Sequence, residues 1–216
     1  DSDSVNYILN IICHSAGGCS ADNREYSGIS SSTYDLSEIL LHFGDDNENY
    51  NWTVTAYDGY EYSGNATERN LTIDSLISIS LPLQNFTEFT GLTNDDTANT
   101  TDAAYDALVL QNDGNSYINV TITVTIMLGE TEPDPSAYYK FKIDEAAEGL
   151  SYSNTGTLTS WTNVPTTETI AVHQMNWTNS TDTLESDILV TVPINEQAQE
   201  VKISTLVFTG YYIKVT

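Results

Sequence analysis

The sequence predicts an all-β chain, a β-sandwich of jelly-roll or Ig-like type, and three observations carry that reading. Apolar residues recur at every second position over several stretches, turn-forming residues separate those stretches, and the 3.6-residue spacing of an amphipathic helix is scarce.

The clearest run is Asn119 to Leu128, with Val120, Ile122, Val124, Ile126 and Leu128 on one face and Thr121, Thr123 and Thr125 on the other. Successive side chains of a strand point to opposite faces, so this run has one buried and one wet side. Ser75–Leu81 (Ile77, Ile79, Leu81), Asp187–Val192 (Ile188, Val190, Val192) and Glu200–Thr209 (Val201, Ile203, Val207) alternate in the same way. Tyr211–Thr216 does so after Gly210, where a bulge or kink is expected. Turn signals stand at Asp58-Gly59, Asn112–Asn115, Pro133–Pro135 and Asn154–Gly156. Leu36–Phe43 and Thr101–Leu108 are each open to a helical turn or a strand. No shift in composition marks a boundary, so the expected organisation is an N-terminal segment with a linker, residues 1–20, on one sandwich domain, residues 21–216.

Charge narrows the partners. Six basic residues against 31 acidic ones give a net charge of −25. Six cations form no basic stripe, so nucleic acid and anionic membrane surfaces are not expected partners. No stretch approaches the roughly 18 apolar residues of a membrane span, so membrane insertion is not expected. The chain opens on Asp1 without a charged-then-apolar leader, from which export with the leader removed, and an extracellular or cell-surface location, are expected. In that setting Cys13 and Cys19, in CHSAGGC, read as a disulfide closing a short loop. The chain-entropy term for such a loop is about 2 kcal/mol. A metal site with His14 and a pair of free thiols are the alternatives, although CxxC and a second nearby His are both absent.

Asn-X-Ser/Thr occurs at Asn51, Asn65, Asn70, Asn85, Asn99, Asn119, Asn176 and Asn179. Chance in a chain this rich in Asn, Ser and Thr gives about half as many, so covalent N-glycans are expected at several of them. Asp45, Asn47 and Asn49 offer oxygen ligands at alternate positions, a calcium candidate. The glycine and the distal Glu of a calcium loop are missing, and an acidic solvated loop is the simpler reading. His14, His42 and His173 are far apart and form no metalloprotease or triad pattern, and GxSxG is absent, so no enzyme is expected. With 31 carboxylates, some pair falls at glycosidase spacing by accident and carries no weight. Trp52, Trp161 and Trp177 admit a carbohydrate-binding reading, and Lys140, Lys142, Lys202 and Lys214 lie in strand-like runs without an identifiable partner for a covalent cross-link.

The segment Val5–Ile12 (VNYILNII) puts Val5, Tyr7, Leu9 and Ile11 on one face. Exposed, such a segment is an aggregation hazard, so it must pair. It is either the first strand of its own sandwich or a strand donated to the sheet of a neighbouring subunit. Burying four such side chains is worth roughly 6–12 kcal/mol as an upper bound. A head-to-tail contact of that kind does not close and generates a filament.

Tyr105–Ile126 (YDALVLQNDGNSYINVTITVTI) resembles the strand, Asn-x-Gly turn and x-V-T-I-x-V strand of TasA-like biofilm fibre proteins and archaeal bundling pilins. Ile188–Thr209 (ILVTVPINEQAQEVKISTLVFT) is similar to their closing pattern of a strand ending in Pro, a polar turn and a long strand. The resemblance covers about a fifth of the chain. It implies a jelly roll polymerising by donation of an N-terminal strand, with Val5, Tyr7, Leu9 and Ile11 as donor residues. The expected function is thus the homopolymeric subunit of an extracellular filament used in adhesion, bundling or biofilm. A surface-lattice component and a carbohydrate-binding adhesin are the alternatives.

Overall fold

The computed structural model describes residues 5–13, 24–30, 50–71, 74–128, 132, 134–178, 180–196 and 201–213. Among them are thirteen β-strands, one 3-10 turn at Pro135–Tyr138 and no α-helix. Every strand pair is antiparallel. The chain is all-β, as its alternation requires. It divides into two compact units, Asp1–Ser75 and Leu76–Thr216. The boundary therefore falls after Ser75 and not at residue 20, because the first strand is hydrogen-bonded to strands that run as far as Leu71.

Unit 1 holds β1 (Asn6–Cys13), β2 (Arg24–Ile29), β3 (Tyr50–Tyr57) and β4 (Arg69–Leu71), ordered β2-β1-β3-β4. β1 pairs with β3 over its whole length, from Asn6↔Tyr57 to Cys13↔Tyr50. On its other side it pairs with β2 from Ile11↔Arg24 to Tyr7↔Ile29, with an irregularity between Tyr7 and Leu9. Leu9, Ile11, Ile29 and Tyr50 are buried on one face, with Tyr7, Tyr26, Trp52, Val54 and Leu71 packed against them.

This placement corrects the expectation of a protruding donor strand. Tyr7, Leu9 and Ile11 do share a face, but β1 is the inner strand of its own chain's sheet. Both rows of its main-chain groups are taken by β2 and β3, so no edge is left for a neighbour to extend. Val5 stands just before the strand and is exposed.

Unit 2 contains β5 (Ile79–Ser80), β6 (Thr97–Asn99), β7 (Leu108–Asn112), β8 (Ile118–Val124), β9 (Tyr139–Glu145), β10 (Thr162–Asn163), β11 (Thr169–Met175), β12 (Thr183–Thr191) and β13 (Leu206–Tyr212). One sheet runs β10-β9-β12-β7-β5, with β6 also on β12; the other runs β11-β8-β13. Ile118, Val120 and Ile122 of the smaller sheet share one core with Leu110, Phe141, Ile143, Leu184 and Ile188 of the larger. Two sheets facing each other over a common core make this unit a sandwich.

The turn after β7 carries the chain from one sheet to the other. Asn112 is fully buried there: its Oδ1 accepts from the Gly114 amide, and its Nδ2 donates to the Ser116 and Met175 carbonyls. Gly114 has no substitute, since a Cβ would sit 2.2 Å from the Leu76 carbonyl oxygen.

Three strands differ from their sequence pattern for local reasons. β5 is only two residues long because the segment before it is committed to that turn: Leu76 and Ser78 bond to Asn115 and Asp113. β8 stops at Val124 although alternation continues, because Ser204 and Thr205 bond to Thr125 partly through hydroxyls. Gly210 is neither bulge nor kink, and β13 runs through it in continuous register with β8. Its missing Cβ instead admits Ile118, Ile77 and Ile79, whose methyl carbons would lie 3.2–3.4 Å from one. Thr101–Ala107 forms turns leading into β7, and Leu36–Phe43 lies outside the described residues.

The open edge of the second unit as candidate functional site

Among the described residues, each sheet of unit 2 ends on one side in an edge strand, β13 in the smaller sheet and β5 in the larger. Between them opens a cleft of about 500 Å3 lined by Ile79, Leu81, Leu110, Leu206 and Phe208, with Asn85 at its rim. The two chain segments that flank it, residues 75–86 and 201–213, contain no acidic residue and a single cation, Lys202. With 31 acids in 216 residues, any 25 residues would ordinarily carry between three and four. Nine of the fifteen exposed large apolar side chains among the described residues lie in these two segments, including Leu83, Phe86, Val201, Ile203, Val207 and Tyr211. A contiguous apolar patch on a monomer marks an interaction surface, and a free apolar edge strand is a template for pairing.

The outer face of β13 is pinned at one end. Tyr211 hydroxyl and Thr121 Oγ1 both donate to Glu168 Oε1. The bond from Tyr211 holds the Glu168 carboxyl below the usual carboxylate range, and Glu168 in turn raises the Tyr211 phenol.

A charged cluster on β9 and β12 stands apart from this edge. Lys142 and Asp187 are directly paired across the two strands. Lys142 Nζ lies 2.6 Å from Asp144 Oδ2 and 3.3 Å from Asp187 Oδ2, and 5.4 Å from the centre of the Trp161 ring. The other Asp187 oxygen accepts from Thr100 Oγ1 at 2.8 Å. Burial works against the Lys142 charge, but the hydrogen bonds and charges of the two aspartates outweigh it and keep its pKa above the ordinary value. The bond from Lys142 lowers Asp144. These charges satisfy one another and clamp adjacent strands, which is a structural role.

The remaining sequence-expected residues scatter. Asn51 and Asn70 lie on unit 1's sheet and Asn65 just before β4; Asn85 lies beside the cleft, Asn99 in β6, Asn119 in β8 and Asn176 just after β11. Asn179 lies outside the described residues, as do Cys19, His14, His42, Lys214 and the calcium candidates Asp45, Asn47 and Asn49. The Cys13 side chain is likewise not described, so the Cys13–Cys19 pairing falls outside them. His173 sits in β11 with its ring beside Gly156. Among the described residues no group of three or more His, Cys, Asp or Glu is placed to hold a metal ion, and no helix is long and apolar enough to cross a membrane. The exposed Leu83 and Phe86 of the flanking segment were not singled out by alternation, because they lie in an irregular stretch. The absence of acids from 75–86 was the signal that marks them.

Comparison with known proteins finds no family model that matches the chain and no curated protein that matches it.

Proposed function

We propose that the protein is a non-catalytic structural subunit of an extracellular, N-glycosylated assembly of identical chains, joined by strand addition at the open edge of unit 2. The apolar segments 75–86 and 201–213 around β13 and β5, which contain no acids of their own although Glu168 bonds to Tyr211 and Glu196 to Lys202, carry the reading. A chain of net charge −25 repels its own copies, so a self-contact forms where both surfaces lack acids. Strand addition supplies main-chain hydrogen bonds along β13, while the cleft takes apolar side chains of the incoming segment. Among the described residues unit 1 has two edge strands of its own, β2 and β4. A contact from β4, which has no acid of its own where β2 has Glu25, to β13 of the next copy would repeat without closing and build a filament. The resemblance of Tyr105–Ile126 and Ile188–Thr209 to fibre-forming proteins supports the same reading. β1 has no part in the contact.

Purified protein at rising concentration and salt, imaged by negative stain, provides the test, with Ile203→Glu/Val207→Glu as the variant. Both side chains are exposed, so thermal unfolding should hold while filaments disappear. Filaments that persist in the doubly charged rim, or a wild-type chain that stays monomeric throughout, overturn the proposal. Flat two-dimensional sheets in place of filaments would mean a surface lattice.

A further inference from the structure

Asn51 in β3 and Asn70 in β4 head two of the eight Asn-X-Thr triplets, Asn51-Trp52-Thr53 and Asn70-Leu71-Thr72. The fold makes them direct cross-strand partners. Nineteen residues apart in sequence, they share one row of an antiparallel pair and therefore one face. That face opens to solvent only at its Asn51–Asn70 end: Thr53 and Thr55, which follow Asn51 on it by alternation, are buried and bond to Ala66 and Asn65, whereas Tyr50, Trp52 and Val54 serve the apolar side. Asn51 is half-buried and its Nδ2 reaches Glu68 Oε2 at 3.3 Å, while Asn70 is exposed. Directly opposed residues have Cβ atoms about 4.5–5.5 Å apart, roughly the breadth of one sugar ring. Two branched N-linked stems rooted there compete for the same space.

We infer that Asn51 and Asn70 form one glycan position, of which a single member carries sugar in the folded protein. This rests on the proposed export and glycosylation of the chain. In the modification, Nδ2 forms a bond to the anomeric carbon of an oligosaccharide supplied on a lipid diphosphate. The anomeric carbon–oxygen bond to the diphosphate breaks, and Nδ2 loses one proton and keeps the other. The retained N–H preserves the Asn51 contact to Glu68, so the fold accepts sugar at either asparagine singly.

Asn65 provides an internal control. It bonds to Thr55, its Oδ1 accepting from Thr55 Oγ1 at 2.6 Å. Thr55 is four residues along β3 from Asn51, about 13 Å at the rise of a strand. A glycan at Asn65 therefore has its own space, and its Nδ2 remains directed away from the bond its oxygen makes.

The experiment is to secrete the chain from a eukaryotic host and count glycans on the folded fraction by intact mass, with site occupancy from glycopeptides. Wild-type protein should show occupancies at Asn51 and Asn70 that sum to about one, and Asn51→Gln should raise Asn70 toward full occupancy. Asn65→Gln should leave both unchanged. Folded molecules carrying sugar at Asn51 and Asn70 together in most copies overturn the inference, as does Asn70 occupancy indifferent to Asn51→Gln. If Asn65 is occupied in that same material, the glycoprotein reading stands without it. Complete absence of sugar at every triplet overturns both.

Discussion

β1 and β13 are the same kind of sequence and end in opposite situations. Each alternates apolar residues, each is free of acids, and each belongs to an antiparallel sheet. β1 is flanked by β2 and β3, and its Ile11 is wholly buried. Among the described residues β13 is an edge strand paired with β8, and Val207 keeps half of its surface exposed. An apolar strand is thus no signal of its own availability. What decides is whether the chain supplies a second neighbour, and the segment that looked homeless in sequence is the one that has two.

Ile11→Ala and Val207→Ala give the sharpest way to break this comparison. Truncating the buried side chain should destabilise unit 1 by about 2–5 kcal/mol, against at most about 0.5 kcal/mol in unit 2 for the exposed one. Hydrogen exchange at β3 amides reads the first and at β8 amides the second. Equal losses would mean that the two strands are buried alike. A smaller effect is expected from Gly210→Ala, which pushes a methyl against Ile77, Ile79 and Ile118 where β13 meets the core. Those isoleucine methyls can yield by a few tenths of an ångström, so a loss of about 1 kcal/mol is expected in chemical denaturation. An unchanged midpoint would show that this close approach does not constrain β13.

The smallest effect concerns pH and the deep side of the sandwich. Asp182 is buried beside β7, where Gln111 Nε2 donates to its Oδ2 at 3.3 Å. Burial, the largest cause, pushes its carboxyl above the ordinary range, and the charge of Glu148 adds to the rise. The folded state therefore binds this proton more tightly than the unfolded chain. Its contribution to stability is present at low pH and is lost as pH rises through the raised pKa. Asp182→Asn keeps an acceptor for Gln111 and removes the buried charge. Its Tm relative to wild type should be higher at pH 7 than at pH 3, and an equal shift at both would contradict the assignment.

Strand positions were legible in the inner strands, whereas Ser75–Leu81 and Glu200–Thr209 alternate as strongly and are strand only at Ile79–Ser80 and from Leu206 onward. Val120, Ile122 and Val124 are buried as their spacing required, and Ile188 and Val190 likewise. Turns at Asp58-Gly59 and Asn112–Asn115 stand where glycine and asparagine place them, with Asp58 Oδ1 accepting from the Tyr60 and Glu61 amides. Sheet membership was not legible. β7 and β8 are joined by a short turn yet lie in different sheets, and so do β12 and β13. A turn signal states that the chain reverses, and it is silent on whether the two strands then bond edge to edge or face each other across a core. The candidate edge was half visible: its composition lacks acids, but only the packing shows that 75–86 and 201–213 lie together.

By itself the sequence determined the strand class, the net charge and the buried face of inner strands such as β8 and β12, because these follow from side-chain type and a two-residue period. On 201–209 the period chose the wrong face, since Val201, Ile203 and Val207 are exposed while Leu206 and Phe208 pack on the core. Only the tertiary structure decided which strands are inner and which are edges. Main-chain pairing is chemically alike for every strand, so the choice of neighbour depends on the packing of distant segments and not on the residues of the strand itself.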